Sequence, residues 1–273
     1  MARLEQQFSY TGSMAHLTAY RIRGSETIYL RTKGGPSKEQ IQTLPRFEKT
    51  RLNNSEFGGR AHASRYILWA LSPHKVIADF NFAGPINAML KPIQQLDTQS
   101  EPGKRNIYLS RNPKLFEGFE FNRRNSFSSI VRNPLQHTLS VKKLNATIDI
   151  PALLPGVNFV VPGDFPFYSF LAKLDIVPDV VWLKDKYEPL SENFMDWEKC
   201  ETESEWYPVA SGSPAFSLSL SSRGSKVPQP PYTTILSISI RFGRPGMNNE
   251  MKVMKYIGAG RILSVDSLQS TVD

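Results

Sequence analysis

From Gln136 onward the chain alternates apolar and polar residues, and a period of two buries one face only if the backbone is extended. Leu139, Val141, Leu144, Ala146, Ile148 and Ile150 carry this pattern, with a turn or bulge predicted at Lys142-Lys143. Phe216, Leu218 and Leu220 alternate with serines. Ile235, Ser237 and Ser239 interleave with Leu236, Ile238 and Ile240, which gives one strand an aliphatic face and a small polar face. Shorter apolar runs at 157–161, 168–177, 180–183 and 253–265 add strands, the last with Gly258 and Gly260 at a predicted bend. Roughly seven strands separated by Pro, Gly and Ser predict an antiparallel β-sandwich.

The first half reads differently. Residues 17–23 and 27–32 are β-rich runs around Gly24-Ser25 and predict a hairpin, with Thr18, Tyr20 and Ile22 on one face of its first strand and Ile28 and Leu30 on one face of its second. Ser37 followed by Gln40 is a capping box, and Pro45 ends the helix it starts. Between 46 and 71 a helical stripe runs through Phe47, Thr50, Asn54, Phe57, Ala61, Ser64, Leu68 and Leu71. Gly58-Gly59 inside it costs about 1 kcal/mol per Gly against Ala, so a close backbone approach is expected there. A further helix begins near Pro85 and is bent by Pro92. The chain is therefore predicted to be α+β and mainly β: an N-terminal β-hairpin and two or three helices in 1–135, packed on or continuing into an antiparallel β-sandwich in 136–273.

Charge divides along the same line. Residues 1–150 carry 22 Lys and Arg against 11 Asp and Glu, whereas the remainder is slightly acidic. A basic half can serve nucleic acid, and Arg21, Arg23, Arg31 and Lys33, followed by Lys104, Arg105, Arg111, Lys114, Arg123 and Arg124, are interleaved with Tyr29, Tyr108 and Phe121. They are spread rather than clustered and form no recognition motif.

Catalytic patterns are missing. His16, His62, His74 and His137 lack metal-ligand spacing and are expected at the surface or at caps. Cys200, the one cysteine, lies among acids that disfavour a thiolate. Gly258-Ala259-Gly260 lacks the third glycine of a dinucleotide loop. The expectation is a non-enzyme with no metal, cofactor or small-molecule substrate. Residues suited to a protein partner are the aromatics Phe165, Phe167 and Tyr168, then Trp197, Trp206 and Tyr207 in an acidic stretch, together with Arg21, Arg23 and Arg31.

Three blocks resemble a known group of proteins: Tyr-Leu-Arg-Thr-Lys-Gly-Gly-Pro at 29–36, the run from Phe47 to Gly59, and Leu-Phe-Glu-Gly-Phe-Glu-Phe-Asn at 115–122. They are similar to uncharacterised proteins of gliding, type 9 secreting bacteria, and among these to the translocon-plug family. The resemblance spans roughly residues 10–135. It implies a periplasmic protein, peripheral to the outer membrane, that docks to a large outer-membrane β-barrel translocon and closes it. It brings no catalytic residues. No apolar run of secretory-signal length follows Met1, so the residues alone point to the cytoplasm. A nucleic-acid-binding or phage-related structural protein is the alternative.

Overall fold

A computed structural model describes residues 2–3, 10–22, 26–191, 200–222, 229–247 and 250–269. The fold is α+β and mainly β, with antiparallel sheets and four α-helices among these residues. It divides into two compact units, Met1–Arg51 and Leu52–Asp273.

In the first unit β1 (Ala2–Arg3), β2 (Gly12–Met14), β3 (Leu17–Arg21) and β4 (Ile28–Thr32) form a sheet in the order β1-β4-β3-β2. The predicted hairpin is present as β3 and β4, and its Gly24-Ser25 turn lies outside the described residues. Register decides which faces meet: Ala19 lies opposite Leu30 and Tyr20 opposite Tyr29. The buried side is therefore built on Ala19 and Ile28, while Ile22 is exposed. Next comes α1 (Lys38–Thr43) with its capping box: Gln40 N donates to Ser37 Oγ at 3.1 Å and Ser37 N to Gln40 Oε1 at 2.9 Å. At its other end Arg51 Nη1 donates to the Ile41 and Leu44 carbonyls, which the helix itself leaves free.

The helix α2 (Glu48–Ala70) runs on into the second unit. Its buried residues are Gly59, Arg60, Ala63, Ser64, Tyr66, Ile67 and Ala70; of the predicted stripe Ser64 and, just past the helix, Leu71 are buried, whereas Phe57 stands 57% exposed. Small residues won because a neighbour must come close: a Cβ on Gly59 would lie 2.6 Å from the Tyr187 ring in β9 (Lys186–Pro189), whereas one on Gly58 would meet nothing. The approach at Gly59 is made by a side chain, not by backbone. Gly58→Ala is accordingly expected to stabilise the protein by about 0.5–1 kcal/mol and Gly59→Ala to destabilise it, read as urea midpoints. Equal shifts in the same direction would refute this packing.

The remaining helices, α3 (Ala83–Gln95) and α4 (Phe127–Ile130), lead into the sheets. The larger sheet contains β7 (Phe167–Pro178), β10 (Cys200–Glu203), β11 (Tyr207–Pro208), β13 (Tyr232–Pro245) and β14 (Met251–Leu268), ordered β10-β7-β13-β14 with β11 also on β7. A three-stranded sheet is ordered β12 (Phe216–Ser221), β6 (Asn145–Ile150), β5 (Gln136–Ser140), and β8 (Val180–Leu183) pairs with β9. β14 stays one strand, but its register on β13 breaks where the bend was expected, Arg241 facing Gly258 and Gly243 facing Val253. Gly258 (φ +121°) leaves room for the Ile240 carbonyl, which a Cβ would approach to 2.4 Å.

The alternation in β13 organises this unit. Leu236, Ile238, Ile240 and Phe242 share a core with Ala146, Ile148, Ile150, Leu218 and Leu220 of the three-stranded sheet, a sandwich-like layering. Ile235 instead joins Ile67, Leu71, Ile86 and Leu90 of the helical side. Phe116 and Phe121 belong to that second cluster together with Ile176 and Ile262, so the boundary expected at 135/136 falls inside one unit.

Candidate functional site

The described contact residues of the second unit include core as well as partly buried rings. Tyr168 is fully buried; it packs 4.6 Å from the Phe159 ring and 5.8 Å from that of Tyr207, so it is core and presents no surface to a partner. Tyr207 continues the stack onto Phe216 at 5.3 Å, and Phe165 lies 5.4 Å from Phe242. Trp206 covers Gly243, where a Cβ would come within 2.7 Å of its ring. These rings close one end of the sheet, which explains their density in the sequence. Phe167 is half-buried where β7 begins. Arg21 and Arg31 are exposed in the first unit, Arg21 lying 3.7 Å from Glu26 and Arg31 5.7 Å from the Tyr20 ring. Trp197 and Arg23 lie outside the described residues.

The basic residues expected to meet phosphates are mostly engaged within the protein. Lys104 pairs with Glu101, Arg105 with Glu56, Lys114 with Glu117 and Arg124 with Asp79. Arg111 and Arg123 stack on Tyr108 and Phe80, at 4.0 and 4.1 Å. Each carboxylate cancels field that a nucleic acid would otherwise feel.

Sequence reasoning missed a buried polar seam between the helices and the larger sheet. His74, expected at the surface or a cap, is fully buried, with Nδ1 2.8 Å from Ser239 Oγ and Nε2 2.8 Å from Ser237 Oγ. Ser237 Oγ donates to the Lys173 carbonyl, so it accepts from Nε2–H, and Ser239 donates to Nδ1. The small polar face of β13 was the available signal: two serines two residues apart can hold one imidazole by both nitrogens. Phe121 stacks on the ring at 4.7 Å. Burial, then the charges of Lys173 and Arg241, lower the His74 pKa to about 3. Such an imidazole is neutral at pH 7 and a poor base, and it is shut off from solvent. The hydroxyl–imidazole pairs therefore join layers rather than activate a nucleophile.

Two further charges complete the seam. Lys173, 1% exposed, donates from Nζ to the Trp69 carbonyl at 3.0 Å, near the end of α2, and lies 2.9 Å from Asp175 Oδ2. Arg241 makes a two-pronged contact with Glu203 at 2.9 and 2.8 Å and donates to Ser169 Oγ, and the pairing holds the Glu203 carboxyl below its usual pKa.

Two clefts flank α3. One, between α2 and α3, has a volume of about 560 Å³ and includes Arg60, Arg65, Lys75 and Lys91 in its walls. The other, at the C-terminal end of α3, measures about 600 Å³ and is formed by Pro92, Ile93, Leu96, Pro113 and Leu115, with Arg111 and Lys114 at its rim. Leu96 is 63% and Leu115 42% exposed. Among the described residues no three His, Cys, Asp or Glu side chains group as metal ligands, and no helix is long and apolar enough to cross a membrane. No family model matches the chain, and no curated protein or solved structure matches it significantly.

Proposed function

We propose that this chain is a non-catalytic docking protein that acts by the shape of its surface, seating on a protein partner and blocking its opening. The observation that carries the reading is the cleft at the end of α3, where Leu96 and Leu115 stand open beside two cations. Exposed leucines of this size, rimmed by charge, suit a protein partner better than a catalytic pocket, which needs converging polar groups. The proposed partner is the periplasmic side of a large outer-membrane β-barrel of type 9 secretion, on the strength of the sequence blocks at 29–36, 47–59 and 115–122. The internal pairing of Lys104, Arg105, Lys114 and Arg124 favours this over a nucleic-acid role.

The test is affinity purification of the tagged chain from its native cell, with mass spectrometry of what it retains. The translocon barrel is expected in the eluate of the wild type and absent from that of Leu96→Glu/Leu115→Glu, at unchanged melting temperature. Retention of nucleoid or virion proteins in its place, or capture indifferent to the two substitutions, would overturn the reading.

A further inference from the structure

The groove between α2 and α3 differs from the cleft just described. Four cations, Arg60, Arg65, Lys75 and Lys91, lie in its walls, and none of the described residues lining it is acidic. The rest of the lining is largely apolar, with Phe57, Leu68, Trp69 and three alanines. Its volume is in the range of small-molecule sites. Trp69 is 41% exposed, and the Arg65 guanidinium lies 5.2 Å from its ring.

Among the described residues, a buried guanidinium in this wall has no ion pair, and a buried hydroxyl has no hydrogen-bond partner. Arg60 is only 9% exposed, yet its hydrogen-bond acceptors are neutral: Nε donates to Asn87 Oδ1 and Nη1 to Gln94 Oε1. The nearby Glu56 attracts it, but that carboxylate is already engaged by the Gly103 amide at 3.0 Å and lies 3.7 Å from Arg105. A guanidinium taken out of water this far normally finds an anion. Ser64, one helical turn along the same face, is 3% exposed, and its Oγ has no hydrogen-bond partner among the described residues. Ser64 lies one turn from an arginine without an ion pair, so an acceptor placed between them would satisfy both.

We propose that this groove binds an amphiphilic anion: a single carboxylate or phosphate headgroup held by Arg60 and Ser64, with an acyl or aryl body lying along Leu68 and Trp69. Lys75 and Lys91, both exposed, raise the local concentration of the anion at the rim. The apolar lining rejects fully hydrated anions, which would lose water and gain nothing from it. Binding requires both halves of the ligand.

The test is tryptophan fluorescence of the full chain titrated with dodecyl phosphate below its micellar range, with dodecanoate, dodecanol and inorganic phosphate as separate arms. Saturable binding of dodecyl phosphate or dodecanoate is expected, the tighter of the two identifying the headgroup, and dodecanol and phosphate are each expected to bind far more weakly. Arg60 also holds α3, so the variants leave it in place. Ser64→Ala is expected to weaken binding about tenfold through the lost hydrogen bond to a charged headgroup, and Lys75→Glu/Lys91→Glu by at least as much, with melting temperatures near wild type. Dodecanol binding as well as its charged counterparts, inorganic phosphate binding as well as dodecyl phosphate, or unchanged affinity in both variants would overturn the proposal.

Discussion

Replacing His74 with Gln is expected to flatten the acid limb of the protein's stability curve. In the folded protein the His74 pKa is about 3, and in the unfolded chain it returns to about 6.5. Between those values the unfolded state takes up a proton that the folded state refuses. The contribution of this site is therefore complete above pH 6.5 and is lost as the pH falls. The slope is about 1.4 kcal/mol per pH unit, so roughly 3 kcal/mol disappears between pH 6.5 and pH 4. Other groups add to the background. Glu117, Glu203 and Asp97 have lowered pKa values and lose stability in the same direction, whereas buried Asp179 and Glu120, whose values burial raises, oppose it. The measurement is therefore the difference between wild type and His74→Gln in urea denaturation at a series of pH values. The variant should be less stable at pH 7, because Ser237 and Ser239 lose a well-placed partner, and the two curves should converge toward pH 4. Parallel curves would mean that the imidazole titrates normally and that the seam does not hold it neutral.

Lys173→Ala is expected to cost about 3–5 kcal/mol, enough to unfold much of a protein of ordinary stability. The reason is what the substitution leaves behind. Asp175, only 13% exposed, would lose the ammonium 2.9 Å away, and the Trp69 carbonyl near the end of α2 would lose its donor. Adding Asp175→Asn should restore a substantial part of the loss, since it removes the stranded charge while keeping the volume. If the double variant is as unstable as the sum of the two single ones, the pair is not coupled and packing alone explains the effect. The comparison is read from chemical denaturation midpoints.

These two sites show what a sequence read residue by residue could reach. The capping box at Ser37 and Gln40, the stop at Pro45, the hairpin over β3 and β4, the turn near Lys142 and the alternation in β13 were all legible, because each is set by residues within a few positions of one another. The face of α2 was legible only in part. Its stripe reached the buried Ser64 and Leu71 but also pointed through the exposed Phe57, and Gly59 is buried because Tyr187, over a hundred residues away, sits on it. Tyr168 was misjudged for a related reason. Phe165, Tyr168 and Tyr207 have the composition of an interface, but such rings also seal the end of a sheet, and Tyr168 is fully buried there.

The depth of His74 and of Arg60 was not legible from the residues next to them in the chain. A histidine after Ser-Pro and an arginine inside a polar helical stretch give no hint of depth, and depth is what makes one a neutral link and the other a guanidinium without an ion pair. The period of the chain alone determined strands, helix ends and the α+β composition, because local sterics and hydrogen bonding act over a turn or a pleat. Which faces were buried, which polar groups were taken out of water and where two clefts opened were decided only by the tertiary structure, because desolvation depends on neighbours that the chain brings together from far apart.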